Sequence, residues 1–252
     1  MYTEIAWQVF FELHSDLPRE GPGNDESTAK ALAFIEVLPD QPQILDLGCG
    51  PGMQTLQLAR LTHGHITAVD NHQPYLDQLQ HSVIGAGLGD HVTPLNADMA
   101  SLPFAPESFD LIWAEGSAYN LGFQNALQRW RSLLKRPGYL AVTEIAWIRP
   151  DPPPSVVAFW QMEYPDMQSI ETNVSLIRAA GYSLLGYFIL PEAAWWQHYY
   201  TPLEQRLQEL QRRYADNPDA QPVLASHAQE IELYRQYADY YGYVFYSFQK
   251  ED

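Results

Sequence analysis

Five acidic residues sit at or just past the ends of short apolar runs: Asp46, Asp70, Asp98, Glu115 and Glu144. Carboxylates placed this way can accept hydrogen bonds from hydroxyl and amino groups, and they disfavour phosphates. Between the first two lies Leu45-Asp46-Leu47-Gly48-Cys49-Gly50-Pro51-Gly52, a turn with glycines at 48, 50 and 52. Glycines let a backbone come close to a ligand. A dinucleotide fingerprint needs the spacing G-x-G-x-x-G, and its third position here is Met53. Asp70, followed by Asn71, comes twenty residues after Gly50. An acid at that place can accept hydrogen bonds from both hydroxyls of a ribose. The chemistry on offer is recognition of a nucleoside, with no metal-ligand spacing anywhere in the chain.

These residues need a scaffold that collects them at one edge. Gln43–Leu47 reads as a buried strand, and a helix over about Met53–Leu61 follows the glycine turn. Ile66–Val69, Val92–Leu95, Phe109–Trp113 and Tyr139–Ile145 read as further strands. Leu76, Leu79, Val83 and Ala86 repeat at helical spacing after Pro74, and Gly87 and Gly89 supply a stop. Phe123, Leu127, Trp130 and Leu134 form a second apolar stripe, which Pro137-Gly138 is expected to end. Such alternation predicts an α/β fold with a doubly wound, mainly parallel sheet of seven strands. Ligands bind such sheets beyond the carboxyl ends of the strands, where these acids fall.

The Pro-rich stretch Arg149–Pro154 is the clearest joint. After it, Ser155–Met162 and Ser169–Ala180 read as helices and Tyr182–Leu190 as a strand. Thr201-Pro202-Leu203-Glu204 has the form of a capping box opening a helix. Another helix is expected over about Pro222–Tyr240, before a last strand, Tyr241–Phe248. Two helices inserted between the last two strands would sit over one end of the sheet as a lid. The chain is expected to form one domain, residues 1–252, with a cofactor core at about 40–146 and substrate or lid elements at about 151–240.

The order and spacing of these motifs resemble class I S-adenosylmethionine (SAM)-dependent methyltransferases, specifically over about residues 40–146. The chain is similar to bacterial small-molecule methyltransferases of the ubiquinone/menaquinone-biosynthesis type. Trp113–Phe123, with Ile189–Glu192 and Trp196–Tyr199 more loosely, is similar to a subgroup of bacterial methyltransferases without assigned function. The resemblance implies a Rossmann-like fold and SAM as cofactor. Its residues would be Asp46, Gly48, Gly50, Gly52, Asp70, Asn71, Asp98, Met99 and Glu115, with Asp98 meeting the adenine amino group and the backbone amide of Met99 the ring. Arg19, in the loop Pro18–Gly23, would reach the SAM carboxylate or else belong to a surface turn. Many relatives carry a histidine shortly after strand four, and here Tyr119 and Asn120 stand there. A better-known relative's substrate therefore does not carry over.

Methyl transfer from a sulfonium is an in-line displacement, for which alignment and exclusion of water matter most. A base is needed only where the nucleophile carries a proton. Candidates on the acceptor side are His198, Tyr119, Glu144, Asn120 and Trp147. His198, amid Trp195–Tyr200, is either a packed lid histidine or a general base. Glu144 either meets substrate or anchors a strand end. Two other functions are compatible with the motifs: a SAM-binding sensor or scaffold, and another SAM-using enzyme on the same fold.

Composition narrows the partners. With 14 Lys+Arg against 31 Asp+Glu, net charge is −17, which disfavours nucleic acid and anionic membranes. The basic sets Arg129-Arg131-Lys135-Arg136 and Arg206-Arg212-Arg213 carry apolar residues at helical spacing and read as solvated helix faces. No apolar run approaches a membrane span, and the first residues, Met1-Tyr2-Thr3-Glu4, carry no signal-peptide pattern. The lone Cys49 excludes a disulfide framework and disfavours arsenic methylation, which needs several cysteines. A small-molecule substrate and a cytoplasmic setting are expected, with no metal and with a homodimer left open.

Overall fold

A computed structural model describes residues 3–251, so Met1, Tyr2 and Asp252 lie outside the described residues. The chain opens with helix α1, Glu4–His14, which the sequence reading had not anticipated. Its basis is local. The hydroxyl of Thr3 caps it by accepting from the Ala6 amide at 3.2 Å, and Ala6, Val9 and Leu13 form its buried stripe. Helix α2, Asp25–Leu32, is capped in the same way by Asn24.

The core then alternates: β1 Gln43–Leu47, α3 Met53–Thr62, β2 His65–Asp70, α4 Gln73–Gly85, β3 Val92–Asn96, β4 Phe109–Ala114, α5 Phe123–Arg131 and β5 Leu134–Trp147. A short 3-10 turn, Ala118–Leu121, follows β4. Beyond the Pro-rich joint come α6 Pro154–Glu163, the two-residue β6 Gln168–Ser169, α7 Ile170–Ala179 and β7 Tyr182–Ile189. Helices α8 Glu192–Trp195, α9 Thr201–Arg213 and α10 Gln221–Tyr237 lead to β8, Tyr241–Lys250.

The strands form one sheet in the order β3-β2-β1-β4-β5-β8-β7, with β6 paired to the end of β5. All pairs from β3 to β5 are parallel, while β8 runs antiparallel to both β5 and β7. This is the doubly wound, mainly parallel sheet that the motif spacing predicts, its seven expected strands joined by the two-residue β6 as an eighth. The winding reverses between β1 and β4, which opens a crevice at their carboxyl ends.

Two local expectations are corrected. Helix α5 ends at Arg131, and Leu134 already pairs with Phe109 in the sheet, so Pro137-Gly138 lies inside β5 at a register shift. Thr201 caps nothing: Trp196–Tyr200 form a π-helical turn that runs helically into α9, and the Tyr200 and Thr201 backbones are both right-handed helical.

The inserted helices α9 and α10 pack against α1. Their seam is aromatic: Trp195 stacks on Tyr234 with centroids 4.0 Å apart, and Trp160, Tyr199, Tyr200 and Tyr241 are buried in the same cluster. The aromatics after the joint are thus mostly the core of a helical cap.

Candidate active site

The glycine turn is shaped from behind by side chains. Gly48 has φ +69°, and a Cβ there would lie 2.4 Å from Cβ of Ser117. Gly52 has φ +87°, and its Cβ would lie 2.2 Å from Cδ1 of Leu79 on α4. Only glycine meets both conditions at these positions. Asp46 is fully buried and accepts hydrogen bonds from Thr55 Oγ1 at 2.6 Å and Gln54 Nε2 at 3.4 Å. Gln54 also donates to the Cys49 carbonyl at 2.9 Å. Burial pushes the Asp46 carboxyl up to about 7. Asp46 and Gly52, expected among the cofactor contacts, do not line the cavity in front of the turn. They build the turn, because one side chain points beneath it into α3 and the other position packs against α4.

Asp70 ends β2 and faces the turn. Its Oδ2 accepts from the Gly50 amide at 3.0 Å and its Oδ1 from the His72 amide at 2.9 Å. Each oxygen keeps capacity for one more donor. The carboxylate is therefore oriented before any ligand arrives.

In front of the turn lies a cavity of about 550 Å³, within the range of small-molecule sites. One end is lined by Gly48, Gly50, Asp70, Asn71, Asp98 and Met99. These come from the carboxyl ends of β1, β2 and β3, where the spacing argument put them. The other end is lined by Trp7, Phe10, Phe11 and His14 of α1, with Tyr119 and Asn120 of the 3-10 turn. Phe11 stacks flat on His72, with centroids 4.1 Å apart and planes at 1°.

A narrower cleft shares the wall of Glu20, Gly48 and Gly50 and adds Arg19 and Glu115. Arg19 is buried, and its Nη2 donates to Glu115 Oε2 at 2.5 Å. Glu115 Oε1 also accepts from Thr28 Oγ1 and Trp113 Nε1, each at 2.8 Å. Glu115 thereby fixes the guanidinium. Arg19 Nη1 is buried and has no hydrogen-bond partner. The neighbouring Glu20 accepts from the Tyr75 hydroxyl at 2.8 Å through Oε2, while its buried Oε1 has none. Burial pushes Glu20 up to about 8, and the charge of Asp70 adds to the rise. A free donor and a free acceptor thus flank one glycine turn.

The three residues expected to do chemistry end up in different places. Tyr119 lines the cavity. Glu144 does not; it is buried, accepts from the Tyr164 hydroxyl at 2.6 Å, and is pushed up to about 8 by burial. His198 is half-buried, within electrostatic reach of Asp25, and lies outside the lining. Trp147 lines a separate cavity of about 660 Å³ at the end of β5. No lining residue of the site cavity comes after Leu121, so the expected lid supplies backing rather than walls. The sequence reading missed Glu20, Tyr75, Trp7, Phe10, Phe11 and His14. The apolar periodicity of α1 carried a signal for the helix, but nothing local tied that helix to the glycine turn.

The methyltransferase-domain family model matches residues 44–138. A methyltransferase named GfsG, from Streptomyces halstedii, is 34% identical over 146 residues, which is 58% of this chain and 52% of that protein. The chain spans about half the length of the curated relatives it matches. Among solved structures, a SAM-dependent methyltransferase from Geobacter sulfurreducens, crystallised with S-adenosyl-L-homocysteine, is similar with a TM-score of 0.82 at 18% identity. That match covers 97% of this chain and 98% of the other. The [4+2]-cyclase SpnF is similar with a TM-score of 0.74 at 23% identity, over 98% of this chain and 93% of that one. With the sheet order, the glycine turn and the strand-end acids in place, residues 44–138 match a methyltransferase domain, and the fold that holds them is the Rossmann-like fold of the class I SAM-dependent methyltransferases.

Proposed function

We propose that the chain binds SAM and transfers its methyl group to a small molecule. The observation that carries this reading is the pair of unsatisfied groups beside the glycine turn. Arg19 Nη1 and Glu20 Oε1 match the carboxylate and the ammonium of an amino acid, the two charges at the methionyl end of SAM. Asp70, held by two amides, offers its remaining lone pairs to a ribose diol. Asp98 and Met99 lie beyond it, where an adenine follows the ribose. When bound, SAM supplies a methyl group made electrophilic by a cationic sulfur. The chain's own part is to orient the two reactants and keep water out, which the aromatic wall of α1 and the helices behind it support.

The domain division follows from the same reading. The core, about residues 40–146, supplies most of the cofactor contacts, with Arg19 and Glu20 added from the N-terminal loop. The elements at about 151–240 back the acceptor side. No helix among the described residues is long and apolar enough to cross a membrane, and Cys49 is buried and unpaired. Both fit a cytoplasmic enzyme acting on a diffusible acceptor.

Calorimetry with SAM, S-adenosylhomocysteine and NAD tests the reading. Both sulfur nucleosides are expected to bind and NAD is not; tighter binding of NAD overturns it. The cyclase that shares this fold makes product analysis the second measurement. Formation of S-adenosylhomocysteine in step with acceptor loss supports methyl transfer, and turnover of an acceptor with SAM unchanged refutes it.

A further inference from the structure

The acceptor end of the cavity holds one buried group that the cofactor does not use. His14, on the last turn of α1, is 3% exposed and packs against Phe10, His227 and Tyr199, with ring centroids 4.4, 5.1 and 6.4 Å away. Its Nδ1 lies 2.9 Å from the Phe10 carbonyl oxygen. A carbonyl only accepts, so Nδ1 carries the proton, and Nε2, across the ring, is a bare lone pair. No described residue donates to it. His227 repeats the arrangement from α10, its Nδ1 lying 2.8 Å from the Val223 carbonyl. Two helices far apart in sequence thus bring together two imidazoles whose second nitrogens await a donor.

At the wall of a cavity, a ligand can supply the proton that such an acceptor lacks. The surroundings define that ligand. The carboxylates lining the cavity, Glu20, Asp70 and Asp98, belong to the loop before α2 and to the ends of β2 and β3. The α1 end presents Trp7, Phe10 and Phe11 with the polar tips of Tyr119 and Asn120. Glu230 stands behind that end, held by the Tyr200 hydroxyl at 2.8 Å and outside the lining, so a cationic acceptor would lose its hydration with no carboxylate at the wall to meet it.

We infer that His14 Nε2 accepts the hydrogen bond of the acceptor's hydroxyl group, and that the acceptors are uncharged, apolar molecules methylated on that oxygen. This rests on the methyltransferase reading above. In the step, the hydroxyl oxygen's lone pair forms the bond to the methyl carbon. The carbon–sulfur bond breaks with its electron pair staying on sulfur, which becomes a neutral thioether. His14 Nε2 takes the hydroxyl proton and passes it to solvent. Burial, with His227 beside it, lowers the imidazole pKa to about 3, so the ring waits unprotonated at neutral pH and does not retain the proton.

The test uses the whole chain saturated with S-adenosylhomocysteine. If that nucleoside does not bind, the methyltransferase reading fails and this inference with it; if it binds, the remaining arms judge His14 alone. The probes are 2-naphthol and 4-ethylphenol, their methyl ethers, and 2-phenylethylamine. The phenols are expected to bind about tenfold more tightly than the ethers and the amine. In ¹⁵N spectra of histidine-labelled protein, His14 Nε2 should appear unprotonated and should shift when a phenol is added. His14→Phe should abolish the preference for phenols with nucleoside affinity retained, and His14→Gln, which keeps an acceptor, should restore it. Equal binding of the ethers, tightest binding of the amine, no binding of any probe, or a proton found on Nε2 would each overturn the inference. So would a preference for phenols that survives in His14→Phe.

Discussion

Asp70 holds the turn and, on the reading proposed above, also meets the ligand. Its two oxygens already hold the Gly50 and His72 amides, so the proposed ribose contact would need no reorganisation of the carboxylate. Replacing it with alanine removes a charged acceptor of two hydroxyl hydrogen bonds. The expected loss is about 1.5–3 kcal/mol, or roughly ten- to a hundredfold in SAM affinity. Calorimetry on a variant with an unchanged circular-dichroism spectrum checks this, and an unchanged affinity would rule out the ribose contact. Glu20 makes a second prediction, through pH. Its carboxyl is raised to about 8 in the folded chain from an ordinary value near 4.5. A raised acid favours the folded state at low pH, and that stability is lost as pH rises through the folded pKa. Glu20→Gln should therefore match the ligand-free parent in melting temperature near pH 5 and exceed it increasingly toward pH 8. It should also bind SAM more weakly, because the ammonium loses its counter-charge. A difference in melting temperature that stays flat with pH would remove Glu20 from this role.

At the scale of elements, α1 is the piece whose importance the structure adds. It is a short helix that stays in place by burying Val9 and Leu13 against α9 and α10, and its other face walls the cavity with Phe10, Phe11 and His14. An isolated helix of this length is marginal in water, so its order depends on that packing. Its amide exchange should slow when SAM and an acceptor bind together, since both then fill the space beneath it. Hydrogen-exchange mass spectrometry over residues 3–14 reads this directly, and exchange indifferent to both ligands would take α1 out of the site. Helices α9 and α10 act from behind it. Their aromatic seam, built around Trp195 and Tyr234, packs behind α1 and does not line the cavity.

At the scale of the whole molecule, binding and stability are linked. A ligand that binds only the folded chain stabilises it by about 2.7 kcal/mol at a hundredfold excess over its dissociation constant. SAM or S-adenosylhomocysteine at that excess should raise the melting temperature, and NAD at the same concentration should not. A shift with NAD alone would reverse the assignment of the cleft. The net charge of −17 acts at the same scale, since several basic residues are engaged locally. Arg213 pairs with Glu12 of α1 and Glu209, and Arg206 with Glu209, so two of the three basic residues of this set are engaged by carboxylates.

The core was legible because its information is local. A strand's apolar run, the glycines at 48, 50 and 52, and an acid at the end of the next strand lie within about thirty residues, and the right-handed β-α-β crossover brings them together without help from the rest of the chain. Sequence alone therefore determined the sheet, the ligand-bearing edge, and Asp70, Asp98 and Met99 as residues of one cavity. Tertiary structure decided what depends on contacts between distant segments. The Arg19–Glu115 pair spans 96 positions, and the meeting of His14 with His227 joins the first helix to the last. Neither has a sequence signature, because burial in a shared cap, and not spacing along the chain, sets which side chains meet. For the same reason the conspicuous aromatic run around His198 became mostly packing, while the site's histidine came from a helix that only its docking made significant.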